Sequence, residues 1–403
     1  MSDKPVIYAS KVKPPLIPRM LNRVMTLVKP KKPYHAENLI SQARQTAGLD
    51  DLGSEDGWRE GLEALVDAWN REAEPGYIGA AAFGSFCRRA LTRRLQVVDY
   101  LKNNPEILEQ PIVGPVLVTG LPRTGTTLLH SLLSQHPQAH CMRYWEQASP
   151  TPAPHPDTRD TDPRLEKTRK GLAQFHKLFP GFSAVHHLEA DAPEECNGLF
   201  DASFCSIIPA FAFRIPSYLD WLETHDATHA YTFYKQQLQI LSHHFPGKRW
   251  VMKAPMHLCF PKALFGVFPD ARVLLTHRDP LKAVPSAAGL AYLHYLSNNF
   301  KADTTHSGEQ TLKRWAKWRM RALKWRAEHP ELSVTDVDFS EMMKDPIVLA
   351  MGLLKEAGFE MNADVESLLK QWLNQNQQHK HGVYRYSPQE YGLSDEAISA
   401  AFQ

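Results

Sequence analysis

Long hydrophobic runs are missing from this chain of 403 residues: nothing approaches the ~20 consecutive apolar residues that cross a bilayer. Its opening, "MSDKPVIYASKVKPPLIPRMLNRVMTLVKPKKP", has basic residues but neither a continuous apolar segment nor a small-residue cleavage site. A secretory signal is therefore not expected, and the cytoplasm is the default location. Cysteine is scarce. The five (Cys87, Cys141, Cys196, Cys205, Cys259) form no CxxC pair, so they read as thiols in a reducing compartment, not as a disulfide framework. Excess charge is also absent: the formal net charge of +2 argues against a nucleic-acid binder driven by bulk charge and leaves room only for a local basic site. With 43% hydrophobic and 22% charged residues, the balance is that of a globular protein with a large core.

The most informative absence is one lysine. "GLPRTGTTLLHSLLSQHP", residues 120–137, has the strand–glycine loop–helix order of a phosphate-binding loop. In GxxxxGK[ST] the residue after the second glycine is the lysine that reaches the β- and γ-phosphates; here it is Thr126. Backbone N–H groups and a helix N-terminus still face an anion, Thr126 and Thr127 add hydroxyls, and Arg123 supplies charge as a planar fork. A second anion signal lies in "THRDPLKAVPS", where Arg278 ends a predicted strand and Ser286 lies in the helix that follows. A third is Lys253 in "VMKAPMH", at the end of another strand. Strand ends of a parallel sheet converge on one crevice, so three cations facing two anionic groups imply a ligand with phosphates at two places.

Residues 36–108 read as helical, with apolar residues at three- and four-residue steps, as in Leu62, Leu65, Val66 and Trp69. Strands are expected at 115–120, 248–255, 271–280 and 332–339, with helical patterns between them, which argues for a parallel α/β sheet. The segment 150–247, rich in proline, histidine and aromatics, reads as an insertion over the sheet's C-terminal edge. The expected architecture is α/β: a P-loop-like three-layer fold with a central parallel sheet. Residues 1–110 are expected to be a helical region packed on the core, and 111–403 the α/β domain that carries the insertion. Near the N-terminus, Met20–Leu21, Val24–Met25 and Leu27–Val28 fit a short basic amphipathic helix that either touches a membrane or packs on the body.

Taken in order, "TAGLDD", "GLPRTGTTLLH", "YWEQASPTPAP", "APEEC", "MKAPMHL", "FPDARVLLTHRDP", "VPS" and "HKHGVYRYSPQEYGL" resemble the 3′-phosphoadenylyl sulfate (PAPS)-dependent sulfotransferases. The likeness covers most of the chain and is closest to a bacterial branch with an LPRTGTT loop, related to the tyrosylprotein-type enzymes. It implies that the loop (Arg123, Thr124, Gly125, Thr126, Thr127) takes the 5′-phosphosulfate and that Arg278 and Ser286 take the 3′-phosphate. Lys253 would lie near the bridging oxygen, and Lys380 and Arg385 would belong to a segment closing over the 3′-phosphate. Phe339 stands where cytosolic relatives have an adenine-contacting tyrosine. The implied reaction is in-line displacement by an acceptor hydroxyl or amine, with PAPS as co-substrate and no metal.

For the general base, the resemblance points first to Glu146 in "RYWEQ", just beyond the loop helix. His257 is the second choice, because cytosolic relatives carry a histidine in a Lys-x-His pattern whose place Pro255 takes here. The adjacent pairs His186–His187 and His243–His244 do not make a metal site, since neighbouring side chains diverge. The acceptor is a small molecule or a peptide, with no nucleic-acid partner; oligomeric state is not readable. Two other classes fit parts of the pattern: a divergent P-loop kinase or NTPase, which requires Mg²⁺-dependent ATP binding, and a non-catalytic nucleotide-binding protein.

Overall fold

The computed structural model describes residues 6–28, 33–179, 181–299, 303–377, 380 and 382–403. Its centre is a five-stranded parallel sheet. The strands, numbered with a three-residue β1 at Val6–Tyr8, are β2 (Val116–Gly120), β3 (Ala139–His140), β4 (Arg249–Lys253), β5 (Arg272–His277) and β6 (Val334–Asp338), in the order β3-β4-β2-β5-β6. All four expected strands form. The short edge strand β3 had no signal in the sequence, because two residues carry no periodicity.

Alternation explains why both faces are covered. Leu117, Met252, Val273 and Leu275 point into one core, and Val116, Val118, Val251 and Leu274 into the other. Fully burying such side chains is worth about 1.5–3 kcal/mol each. The first core is shared with helices α2 (Ala36–Ala47), α3 (Trp58–Glu72) and α4 (Tyr77–Asn103). Trp69 stacks on Phe83 at 4.0 Å between centroids, and both meet Phe213 of the insertion edge-on. The N-terminal helices are thus cemented to the segment that overlies the sheet.

Helix α1 (Leu16–Val28) precedes them. It docks through Asn22, which is buried, accepts a hydrogen bond from the Ile78 amide and donates to the Asn299 carbonyl. Its apolar residues face outward instead. A second, two-stranded parallel ribbon pairs β1 with β7 (Val383–Arg385), tying the two chain ends together. Among the described residues no helix is long and apolar enough to cross a membrane.

Candidate active site

β2 is the middle strand, and the loop leaving its C-terminal end enters helix α5 (Thr126–Leu133). Two residues there hold positive φ: Arg123 at 73° and Gly125 at 88°. Glycine is required at the second, where a Cβ would collide with the Met342 methyl group and press on the Phe339 ring. The non-glycine Arg123 in this region is locally strained, as often at ligand-binding loops. The amides of Arg123, Thr124, Gly125, Thr126 and Thr127 have no backbone acceptor among the described residues. Five N–H groups at the positive end of a helix form a cradle for an oxyanion.

Two guanidinium groups bracket that cradle. Arg123 Nε donates to Ser286 Oγ at 3.1 Å and one Nη to the Val185 carbonyl at 2.9 Å. Arg278 Nη1 donates to the Arg123 carbonyl at 2.8 Å and lies over the Phe339 ring at 4.3 Å. The two anion signals of the sequence are therefore one continuous cluster. Neither arginine pairs with a carboxylate among the described residues, and burial pushes the Arg123 pKa down. Partly buried cations without counter-charge leave room for an anionic ligand. Thr126 is buried, with Thr127 exposed beside it.

Thr124 plays another part. Its hydroxyl is buried, donating to the Leu121 carbonyl at 2.6 Å and lying 2.6 Å from Thr276 Oγ1, so it shapes the loop from behind. Lys380 and Arg385 are exposed; Lys380 lies 3.5 Å from Asn376 Oδ1. From that closing segment it is Tyr384 that reaches the cluster, with its hydroxyl 3.4 Å from the Ser286 carbonyl and its ring 5.9 Å from the Arg123 guanidinium. His379 and His381 of the same motif lie outside the described residues.

Lys253 ends β4 beside β2, in register with Val118. It is 2% exposed, and its Nζ donates to Glu195 Oε1 at 2.8 Å and lies 3.5 Å from Thr127 Oγ1. Glu195 belongs to "APEEC", whose backbone is stitched to the sheet edge: the Cys196 amide donates to the Lys253 carbonyl and the Glu194 amide to the Met142 carbonyl. Glu194 and Glu195 both line a cavity of about 280 Å³ that opens from the loop. Burial raises the Glu194 carboxyl to about 7, despite the opposing pull of Lys253. His186 and His294 line it too; burial depresses both, His294 to about 4. Ile207, Ile208, Phe211, Leu290 and Trp315 give the cavity its apolar lining.

Neither residue favoured as the base lines this cavity. Glu146 is wholly buried. Its carboxylate accepts two hydrogen bonds from Arg159, at 2.6 and 2.8 Å, and one from the Arg143 amide as an N-terminal helix cap. His257 is buried behind the β2–β4 edge, with Nδ1 2.7 Å from the Tyr231 hydroxyl, and borders a separate void of about 40 Å³. Burial lowers it to about 3. Pro255, two residues earlier, does line the cavity. The signal for Glu194 and Glu195 was present as two adjacent acids in an aromatic-rich segment, but only the tie to Lys253 gives it meaning.

A glycine loop with unpaired amides, flanking arginines and an adjoining half-apolar cavity defines an anion-dependent group-transfer site at the topological switch point of an α/β sheet. The chain belongs to the sulfotransferase family, whose model matches residues 115–363. Among solved structures it is similar to sulfotransferase STF1 from Mycobacterium tuberculosis H37Rv, with 30% identity, a TM-score of 0.83, and coverage of 92% of this chain and 99% of that one. It is also similar to sulfotransferase STF9 from Mycobacterium avium, with 31% identity, a TM-score of 0.80, and coverage of 91% and 94%. No curated protein sequence gives a match.

Proposed function

We propose that the protein transfers a sulfuryl group from PAPS to the hydroxyl or amine of a small, largely apolar acceptor. The observation that carries this reading is the contact of the two arginine clusters. The loop amides with Arg123 suit the 5′-phosphosulfate, and Arg278 with Ser286 suits a 3′-phosphate on the same nucleotide. Sulfate carries less charge than a γ-phosphate, which fits a loop that has lost its lysine. Attack on sulfur drives negative charge onto the leaving phosphate oxygen, and Lys253 and Arg123 stand ready to stabilise it. Lys253 is held off by Glu195 until the nucleotide arrives.

The acceptor proton goes to a carboxylate of the cavity, and Glu194 is the better matched base because a pKa near the working pH favours proton transfer. An acceptor with an apolar body would fill the Phe211–Trp315 end and present its nucleophile to the loop. Transfer of labelled sulfate from PAPS to a panel of apolar alcohols, phenols and amines tests this reading. No PAPS binding and no transfer to any acceptor would defeat it.

A second observation favours a peripheral membrane location. Ile17, Leu21, Val24, Leu27 and Val28 of α1 are each more than half exposed, on the side opposite the docked Asn22. Residues 4–36 carry Lys4, Lys11, Lys13, Arg19, Arg23, Lys29, Lys31 and Lys32 and no acid. An apolar stripe flanked by cations suits the surface of an anionic bilayer. All five cysteines are unpaired, which fits a reducing, cytoplasmic side of that bilayer. Co-sedimentation with phosphatidylserine vesicles but not neutral ones is expected; self-association without vesicle binding would instead assign the stripe to a second copy.

A further inference from the structure

Where α3 meets the insertion, three side chains with metal-binding chemistry converge, and none of them lines the cleft. Cys205 follows the short turn Asp201–Ser203, His225 ends the helix Pro216–Thr224, and His229 lies in the first turn of the helix Thr228–Ser242. One ligand atom from each lies within 4.8 Å of the other two. Cys205 Sγ is 3.7 Å from His229 Nε2. In tetrahedral zinc, with Zn–S near 2.3 Å and Zn–N near 2.0–2.1 Å, the S···N edge is about 3.6 Å.

The outer contacts have the same character. Metal-bound imidazoles direct their other nitrogen to a carbonyl or carboxylate, which fixes the ring and its tautomer. His229 Nδ1 lies 3.3 Å from the Asp226 carbonyl. His225 Nδ1 lies 3.6 Å from Glu60 Oε1, an oxygen that also accepts from Trp221 Nε1 at 3.0 Å. That leaves His225 Nε2, which is buried without a partner on a side chain only 10% exposed. An S–H···N contact between Cys205 and His229 accounts for two of the three groups and leaves this nitrogen unexplained.

We propose that Cys205, His225 and His229 form a zinc site, with solvent in the fourth position, that ties three segments of the insertion together where they pack on α3. Thiolate and imidazole donors select zinc over magnesium or calcium. Three residues separate the two histidines, within the spacing common for zinc ligands. On binding, the Sγ–zinc bond forms as the thiol proton leaves to solvent, so affinity rises with pH. None of its three ligands lines the cavity assigned to sulfuryl transfer.

The test uses the full chain, reduced and stripped of metal, titrated with Co²⁺ and then Zn²⁺. One cobalt per chain is expected, with a thiolate-to-cobalt band in the near ultraviolet that one equivalent of zinc removes. Cys205→Ser should abolish the band and Cys259→Ser should leave it. Glu60→Gln should weaken zinc by about 10- to 100-fold, and His225→Gln by more. Zinc should raise the thermal midpoint of wild type but not of Cys205→Ser. No cobalt band in wild type, or one that survives Cys205→Ser, overturns the proposal.

Discussion

The two ends of the cleft are built differently. The anion end is made of strand termini and helix starts: the loop after β2, Lys253 at the end of β4, and Arg278 and Ser286 just beyond β5. Backbone geometry dictates its residues, such as a glycine where a Cβ would strike Met342. The acceptor end is assembled from short helices and loops between 144 and 211, together with the Leu290–His294 stretch of one later helix and Trp315 of another. Its functional groups are set by single tertiary ties, such as the Cys196 amide on the Lys253 carbonyl. The proposed nucleotide grip therefore rests on local structure, and the proposed proton transfer on long-range packing.

Substitutions should separate the two. The largest effect is expected at the acceptor end: Glu194→Gln should lower kcat by about 10²–10⁴-fold with little change in nucleotide affinity. The sign of the pH dependence follows from its carboxyl standing near 7. Below that the group is protonated and cannot take the acceptor's proton, so wild-type kcat should rise through pH 7 and flatten above it. Glu194→Gln should flatten the profile altogether. A profile unchanged in the variant would remove Glu194 from the chemistry.

At the anion end, Arg123→Ala and Lys253→Ala should each cost about 10²–10³ in kcat, the usual loss for one donor to developing charge. Arg278→Ala should act mainly on binding. A charged hydrogen bond worth about 1.5–3 kcal/mol corresponds to roughly 10- to 100-fold in nucleotide Kd. The smallest effect on turnover is expected at Glu146. Glu146→Gln removes the counter-charge of Arg159, so stability should fall by up to about 3–5 kcal/mol while the folded fraction keeps near-wild-type kcat. Activity lost in step with Glu194→Gln at undiminished stability would restore Glu146 as a base.

The same division explains what could be read from the sequence. Strands β2, β4, β5 and β6, the helical prelude and the loop residues follow from periodicity, glycine placement and strand-end position, which are local signals. Arg123, Lys253, Arg278 and Ser286 come together because parallel strands end on one side. The two-residue β3 and the β1–β7 ribbon carry too few residues for a pattern. The resemblance points to Glu146 and His257, but side-chain direction over one or two residues decides whether a group meets a cavity or an arginine. Glu194 and Glu195 gain their role from Lys253, 58 residues beyond Glu195. Cys205, His225 and His229 meet across three elements, and no adjacent-pair search finds them.

Calorimetric titration with adenosine 3′,5′-bisphosphate and with adenosine 5′-monophosphate, both without Mg²⁺, tests the shared grip of the two arginine clusters most directly. The account predicts that the bisphosphate binds at least about 10-fold more tightly and that Arg278→Ala erases this preference. Equal affinities in wild type, or a preference that persists in Arg278→Ala, would contradict it.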